Sequence, residues 1–187
     1  MAESFEGVYG NAGHFATDSN FEVQRTNHFE IVLDLGRLNL SVGGEKASEH
    51  LRLSTKSFTN PKVSSEAIEL RHGNDIVKVA KSPSFDNLTL TVHDTIGLDQ
   101  LYVIQSWFEK VFDRKTKLMG RVSDYKTDGI LYMYSPDGTI VRKWVLQGVW
   151  PLNYGQGSEF SFDNNGEGQT ISMELSVDRY WEEGPEG

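Results

Sequence analysis

Residues 130–151, ILYMYSPDGTIVRKWVLQGVWP, constrain the fold more than any other stretch of the chain. Ser135-Pro136-Asp137-Gly138 has the residues that a tight turn requires. Proline presets φ, aspartate bonds back to the backbone, and glycine takes a positive φ. Alternating strands flank the turn. Ile130, Tyr132 and Tyr134 point one way, and Leu131 and Met133 the other. On the return, Ile140, Arg142, Trp144 and Leu146 oppose Val141, Lys143, Val145 and Gln147. Period-two patterning on both arms predicts a long hairpin with two usable faces. Gly148 marks a bulge or a close backbone approach, and Pro151 is expected to stop the ladder.

The remaining elements are mostly strands. Phe29, Ile31, Leu33 and Leu35 alternate with Glu30 and Asp34, which predicts a strand over 29–40. Residues 41–61 are polar, with Gly43-Gly44 and mixed charge, and read as a long functional or mobile loop. Strands are predicted over 63–71, 76–80, 87–93 and 171–177. Helical period is confined to about residues 97–112. There Leu98, Leu101, Tyr102, Phe108 and Phe112 recur at threes and fours, joined by Ile104, Trp107 and Val111. The apolar arc is wide, so this helix covers a sheet or is partly buried by a partner. The fold class is therefore mainly β: a two-sheet antiparallel barrel or sandwich with one flanking helix.

The chain, 187 residues long, fits one domain. Residues 1–26 form an extended N-terminal segment with Phe5, Tyr9, Phe15 and Phe21 spaced among polar residues. Such a terminus docks on its own core or on a neighbour, or else frays. Residues 182–187 are an acidic tail expected to be loose. No apolar run reaches the roughly 20 residues of a membrane helix. The N-terminus lacks the basic and apolar regions of a signal peptide, so no membrane anchor is expected.

Chemistry leaves little trace. The chain has no cysteine, which removes thiol nucleophiles and Cys-ligated metal. None of the five histidines has a metal-binding spacing, and there is no nucleophile elbow or phosphate loop. Asp163, Asn165, Glu167 and Glu174 resemble the oxygen ligands of a calcium loop around Gly168. Strands flank them where helices are needed, so a hairpin loop is the preferred reading. Trp107, Trp144, Trp150 and Trp181 could stack sugars, and scattered carboxylates could serve a glycosidase. A carbohydrate- or calcium-binding β-sandwich module is thus an alternative. No catalytic residue and no cofactor is expected. The net charge of −9 disfavours tight nucleic-acid binding, yet suits the wall of a passage for DNA.

Four segments in order resemble the tail tube protein family of contractile-tailed, T-even-like bacteriophages. They are Arg25-Thr-Asn27-His-Phe29-Glu-Ile31, then Phe85-Asp86-Asn87-Leu88-Thr-Leu90-Thr-Val92-His-Asp94, then Tyr125-Lys126 leading into the central hairpin, and Leu146-Gln-Gly148-Val-Trp150-Pro151. An Asn-rich loop and a last strand ending at Asp178-Arg-Tyr180-Trp181 follow the fourth.

The resemblance implies a fold like the type VI secretion tube and a structural, non-enzymatic virion protein. Six copies would close into a ring with a continuous inner β-barrel. Rings would stack into a hollow tube inside a contractile sheath, the conduit for DNA ejection. A baseplate-proximal tube initiator of the same fold is the close variant. Expected partners are sister copies, the sheath protein, the baseplate or initiator, and a tape-measure protein and DNA in the lumen. Assembly would take place in the bacterial host cytoplasm. The loop and termini would reach adjacent rings, which makes Phe5, Tyr9, Phe15, Lys46, Glu49, Lys56 and Asn60 interface candidates. Asp99, Glu109 and Asp113 would face the sheath.

Overall fold

Strand β9, Ile140–Gln156, is 17 residues long and belongs to two sheets. A computed structural model describes residues 24–42, 46–97, 100–157 and 168–184. The central turn forms as the sequence predicts. Gly138 takes φ 87° and its N–H bonds Ser135 O, while Asp137 accepts from the Thr139 N–H. Strand β8, Thr127–Tyr134, precedes the turn and pairs with the first part of β9, Leu131 opposite Trp144. Strand β1, Phe29–Leu33, lies on the outer side of β8. Strand β10, Thr170–Ser176, pairs with the second part of β9, and β11, Arg179–Glu183, pairs with its first part. Strands β10 and β11 thus run along the same side of β9 in succession. The second sheet continues from β10 to β7, Leu88–His93, and ends at β2, Thr55–Phe58.

The passage from one sheet to the other is made at Gly148. Its φ is +70°, a conformation that L side chains avoid. Register slips on β8 opposite this point, between Thr127 and Gly129. Two aspartates hold the bulge. The Gly148 N–H donates to Asp128 Oδ1 at 2.9 Å, and Asp178 lies over the glycine, held by Lys126 Nζ at 2.6 Å. A Cβ on Gly148 would stand 2.2 Å from Asp178 Oδ2. Bulges of this kind are how strands turn the corner between packed sheets.

Between the sheets lies one apolar core. Ile31, Leu33, Leu131 and Leu146 enter from the first sheet, and Leu88, Leu90, Val92, Ile171, Met173 and Leu175 from the second. Helix α1, Ala47–Ser54, and helix α2, Gln100–Val111, close the flank. Trp107 of α2 is fully buried, and its Nε1 donates to Tyr125 O at 2.8 Å. The contact ties α2 to the short helix α3, Val122–Tyr125. Phe108 stacks edge-on against Tyr154, and Tyr125 against Trp150, so α2 and α3 cover the second part of β9.

Five expectations are corrected. The strand expected over 29–40 ends at Leu33, and Gly36–Leu38 form a 3-10 helical turn followed by Asn39 at φ 47°. Residues 41–61 are not a structureless loop, because α1 and β2 lie within them. Only Ala47, Leu51 and Ser54 of α1 are buried, at intervals of four and three, too sparse an apolar pattern to stand out among polar neighbours. The strand expected over 63–71 is two pieces, β3, Val63–Ser64, and β4, Ala67–His72. Pro151 does not stop β9 but pairs opposite Leu175 beside a register shift. From Trp150 on, β9 has a strand neighbour on one side only among the described residues, and a missing N–H is tolerated there. Glu182 and Glu183 are not loose, since they lie in β11 and pair with Arg142 and Lys143.

Gly148→Ala is expected to lose about 2 kcal/mol or more of stability, from the positive φ and the collision with Asp178. Urea denaturation measures it. A loss under about 0.5 kcal/mol would contradict the corner assignment.

Candidate assembly interface

The body leaves backbone edges without a strand partner among the described residues. β1 has a neighbour only in β8, β2 only in β7, and β11 only in β9. The second part of β9 is a fourth such edge. Exposed edges are templates for pairing with another chain, and proteins that keep them generally use them.

A second feature projects from the body. β4 pairs with β5, Asp75–Ala80, and every residue of both strands is exposed. Ile68 opposite Val79 and Leu70 opposite Val77 line one face, with Leu70 52% and Val77 54% exposed. The other face is mixed, with Glu69, Arg71 and Lys78 beside Ala67, Ile76 and Ala80, and Lys78 Nζ 3.4 Å from Glu69. A two-stranded hairpin alone is marginal in water, and a contiguous apolar face marks an interaction surface. The base of this arm is fixed. β3 pairs with β6, Ser84–Phe85. The Tyr180 hydroxyl accepts from the Lys62 and Asp86 N–H groups at 2.9 and 3.1 Å and donates to Lys62 O. The Phe85 ring stacks edge-on against Tyr180 at 5.0 Å. Alternation over 63–80 carried the strands but not their isolation, since exposure cannot be read from period.

A groove of about 990 Å³ opens where β1 and β2 face each other. Lys56 and Asn60, two of the residues expected at a ring interface, line it. Tyr134, Glu30 and Arg52 form a chain across its wall. The Tyr134 hydroxyl donates to Glu30 Oε2 at 2.6 Å, and Arg52 Nε lies 3.1 Å from Glu30 Oε1. Burial, then the bond to the Glu30 carboxylate, pushes the Tyr134 hydroxyl up to about 12.

Other expected site residues are dispersed. Lys46 stands at the N-cap of α1 and Glu49 in its first turn, away from the groove lining. Phe5, Tyr9, Phe15 and Asp99 lie outside the described residues, as do Asp163, Asn165 and Glu167. Glu174 is on β10, where its two carboxylate oxygens accept from Asn87 Nδ2 at 2.9 Å and Asn153 Nδ2 at 2.7 Å. It serves as a cross-strand tie between β7, β10 and β9. Glu109 pairs with Arg114 at 3.0 Å. The Asp113 carboxylate turns back onto the Lys115 and Thr116 N–H groups, which lower its pKa. Glu109 and Asp113 are thus each engaged within the chain. What the loop after α2 presents is Leu118 and Met119, 68% and 71% exposed, beside Arg114, Lys115, Lys117 and Arg121.

Raising the pH should leave the Tyr134 hydroxyl protonated beyond the ordinary tyrosine range. Its folded pKa, about 12, exceeds the ordinary 10.0. Its contribution to stability is thus complete below pH 10.0 and lost as pH rises toward about 12. Absorbance titration of phenolate should lose a late component in Tyr134→Phe. Identical titrations of the two proteins would contradict the contact.

Comparison with known proteins agrees with this architecture. A chain of the sheath–tube complex of an extracellular contractile injection system, PVC, in its extended state superposes with a TM-score of 0.63 at 16% identity, covering 98% of this chain and 99% of that one. A chain of the sheath/tube terminator of the same system gives 0.61 at 17% identity, over 85% and 95%. One from the baseplate of the anti-feeding prophage gives 0.60 at 10% identity, over 89% and 99%. At these identities the likeness establishes the fold. No curated protein matches in sequence. The family model described as T4-like virus tail tube protein gp19 matches residues 25–181, and the chain belongs to that family.

Proposed function

We propose that this chain is the structural subunit of a phage tail tube. Six copies close into a ring, and rings stack into a hollow conduit for DNA within a contractile sheath. The observation that carries the reading is the set of unpaired strand edges, with the apolar arm, in a member of the tail tube family. A ring closed by strand pairing satisfies every such edge at once, and cyclic symmetry makes each contact the same. The arm gains a surface for Ile68, Leu70, Val77 and Val79 only in an assembly. The net charge of −9 lets DNA pass a wall that does not hold it.

Partners follow from the same reading. Tube relatives of this fold come from complexes with sheath, baseplate and terminator. The basic, apolar knuckle after α2 is the described feature best suited to an acidic sheath surface. A tape-measure protein would occupy the lumen before DNA, and assembly takes place in the bacterial host cytoplasm. The chain acts as a building unit and not as a catalyst. A tube-initiating subunit beside the baseplate is a second reading, favoured by the baseplate likeness. Six copies per virion, against many rings' worth, separates the two by quantitative gel.

Electron micrographs of the purified protein, seeded with baseplates where needed, should show six-fold rings or tubes. Leu70→Asp with Val77→Asp should leave the stability of the lone chain within about 1 kcal/mol, since both residues are exposed, while abolishing assembly. Normal tubes from this variant, or a strictly monomeric wild type under all conditions, would contradict the reading.

A further inference from the structure

The strand path of the body, β1-β8-β9-β10-β7-β2, ends in two strands that line the same groove. Among the described residues β1 and β2 each pair on one side only. An extended segment lying between them can bond its backbone to either edge. Its alternate side chains would then rest on the apolar part of the lining, Phe29, Phe58 and Met133.

Charge decides what kind of segment fits. Four cations line the groove, Arg25, Arg52, Lys56 and Arg142. Two are already matched, Arg52 by Glu30 and Arg142 by Glu182. Arg25 and Lys56 have no carboxylate partner among the described residues. Two uncompensated cations, on a chain of net charge −9, select carboxylates.

The edges of the body do not supply them. β2, Thr55–Phe58, has no acid, and neither has β9 from Trp150 to Gln156. On β1, Glu30 is taken by Tyr134 and Arg52. On β11, Glu182 and Glu183 are taken by Arg142 and Lys143. A second copy presenting any of these edges would leave Arg25 and Lys56 uncompensated. On the arm, Glu69 is held by Lys78, which leaves Asp75, a single acid at the hairpin tip and not an alternating strand.

We propose that the groove between β1 and β2 takes an acidic extended segment of a different protein, and that this segment keeps the two edges from pairing while the chain is dispersed. Carboxylates of the segment meet Arg25 and Lys56, and apolar residues alternating with them cover Phe29, Phe58 and Met133. The binding stands on the groove alone. The guarding role rests on the tube reading, in which these edges are used on assembly.

The test titrates a fluorescein-labelled octapeptide of alternating glutamate and valine into the dispersed full chain, followed by anisotropy. Saturable binding is expected, with slowed hydrogen exchange in β1 and β2. Arg25→Glu with Lys56→Glu, both at exposed positions, should weaken binding about tenfold, and a peptide with lysine for glutamate should prefer that variant to the wild type. Methylating alternate peptide nitrogens should also weaken binding about tenfold, because the edge bonds are lost. Saturating peptide should slow tube growth from baseplate seeds about tenfold. No saturable binding, or binding indifferent to the charge reversal or to methylation, would overturn the proposal. A chain that excludes the peptide, as a dimer or as a monomer whose own segment fills the groove, would assign the groove to this chain and overturn it equally. Tubes growing at the normal rate from peptide-bound chain would overturn the guarding role. Absence of tubes with and without peptide would remove the tube reading and the guarding role, and leave the binding result standing.

Discussion

One long strand serving two sheets is the constraint from which the rest of this structure follows. β9 turns its corner at Gly148, and its partner chain turns with it at Asp178. A pair of strands bent in this way builds a two-layer body around a single core, but does not close it. Among the described residues each sheet keeps two outer edges, and backbone groups at such an edge turn to water until another strand arrives. A lone molecule is well packed between its layers and unfinished at its borders. The corner and the open borders are one fact seen from inside and outside.

The surface repeats that division of labour. Groups that fix the chain's own shape are paired internally: Glu174 between Asn87 and Asn153, Asp113 on its own loop, Tyr134 with Glu30. Groups that lack an internal role stand together at borders. The arm of β4 and β5 shows apolar side chains to solvent, the groove shows unpaired cations, and the loop after α2 shows Leu118 and Met119 among basic residues. Surface ion pairs contribute little to stability, so the value of such clusters lies in recognition rather than in holding the fold.

Much of the body was legible in the sequence because its strands alternate between a packed and a less packed face. The turn at Ser135–Gly138, the bulge at Gly148 and the wide apolar arc of α2 each had a local chemical signature. Helix α1 was hidden because three buried residues among charged neighbours do not make a strong period. The continuation of β9 through Pro151 was hidden because proline forbids a ladder bond only when its nitrogen faces a partner, and facing is a tertiary property. The site was less legible than the body. Lys56 and Asn60 were expected at an interface from family likeness, and the groove that both line depends on where two distant edges meet. The contacts of Glu109 with Arg114 and of Asp113 with backbone N–H groups a few residues away are ones that spacing alone does not rank.

Hydrogen exchange, followed residue by residue in the dispersed chain and in the assembled polymer, tests the incompleteness of the edges most directly. Amides of β2, β4 and β5 should exchange fast in the dispersed chain and slow at least a hundredfold on assembly, while the core amides of β7 and β10 are slow in both. Edge and arm amides already protected in the dispersed chain, or still unprotected in the polymer, would contradict the account.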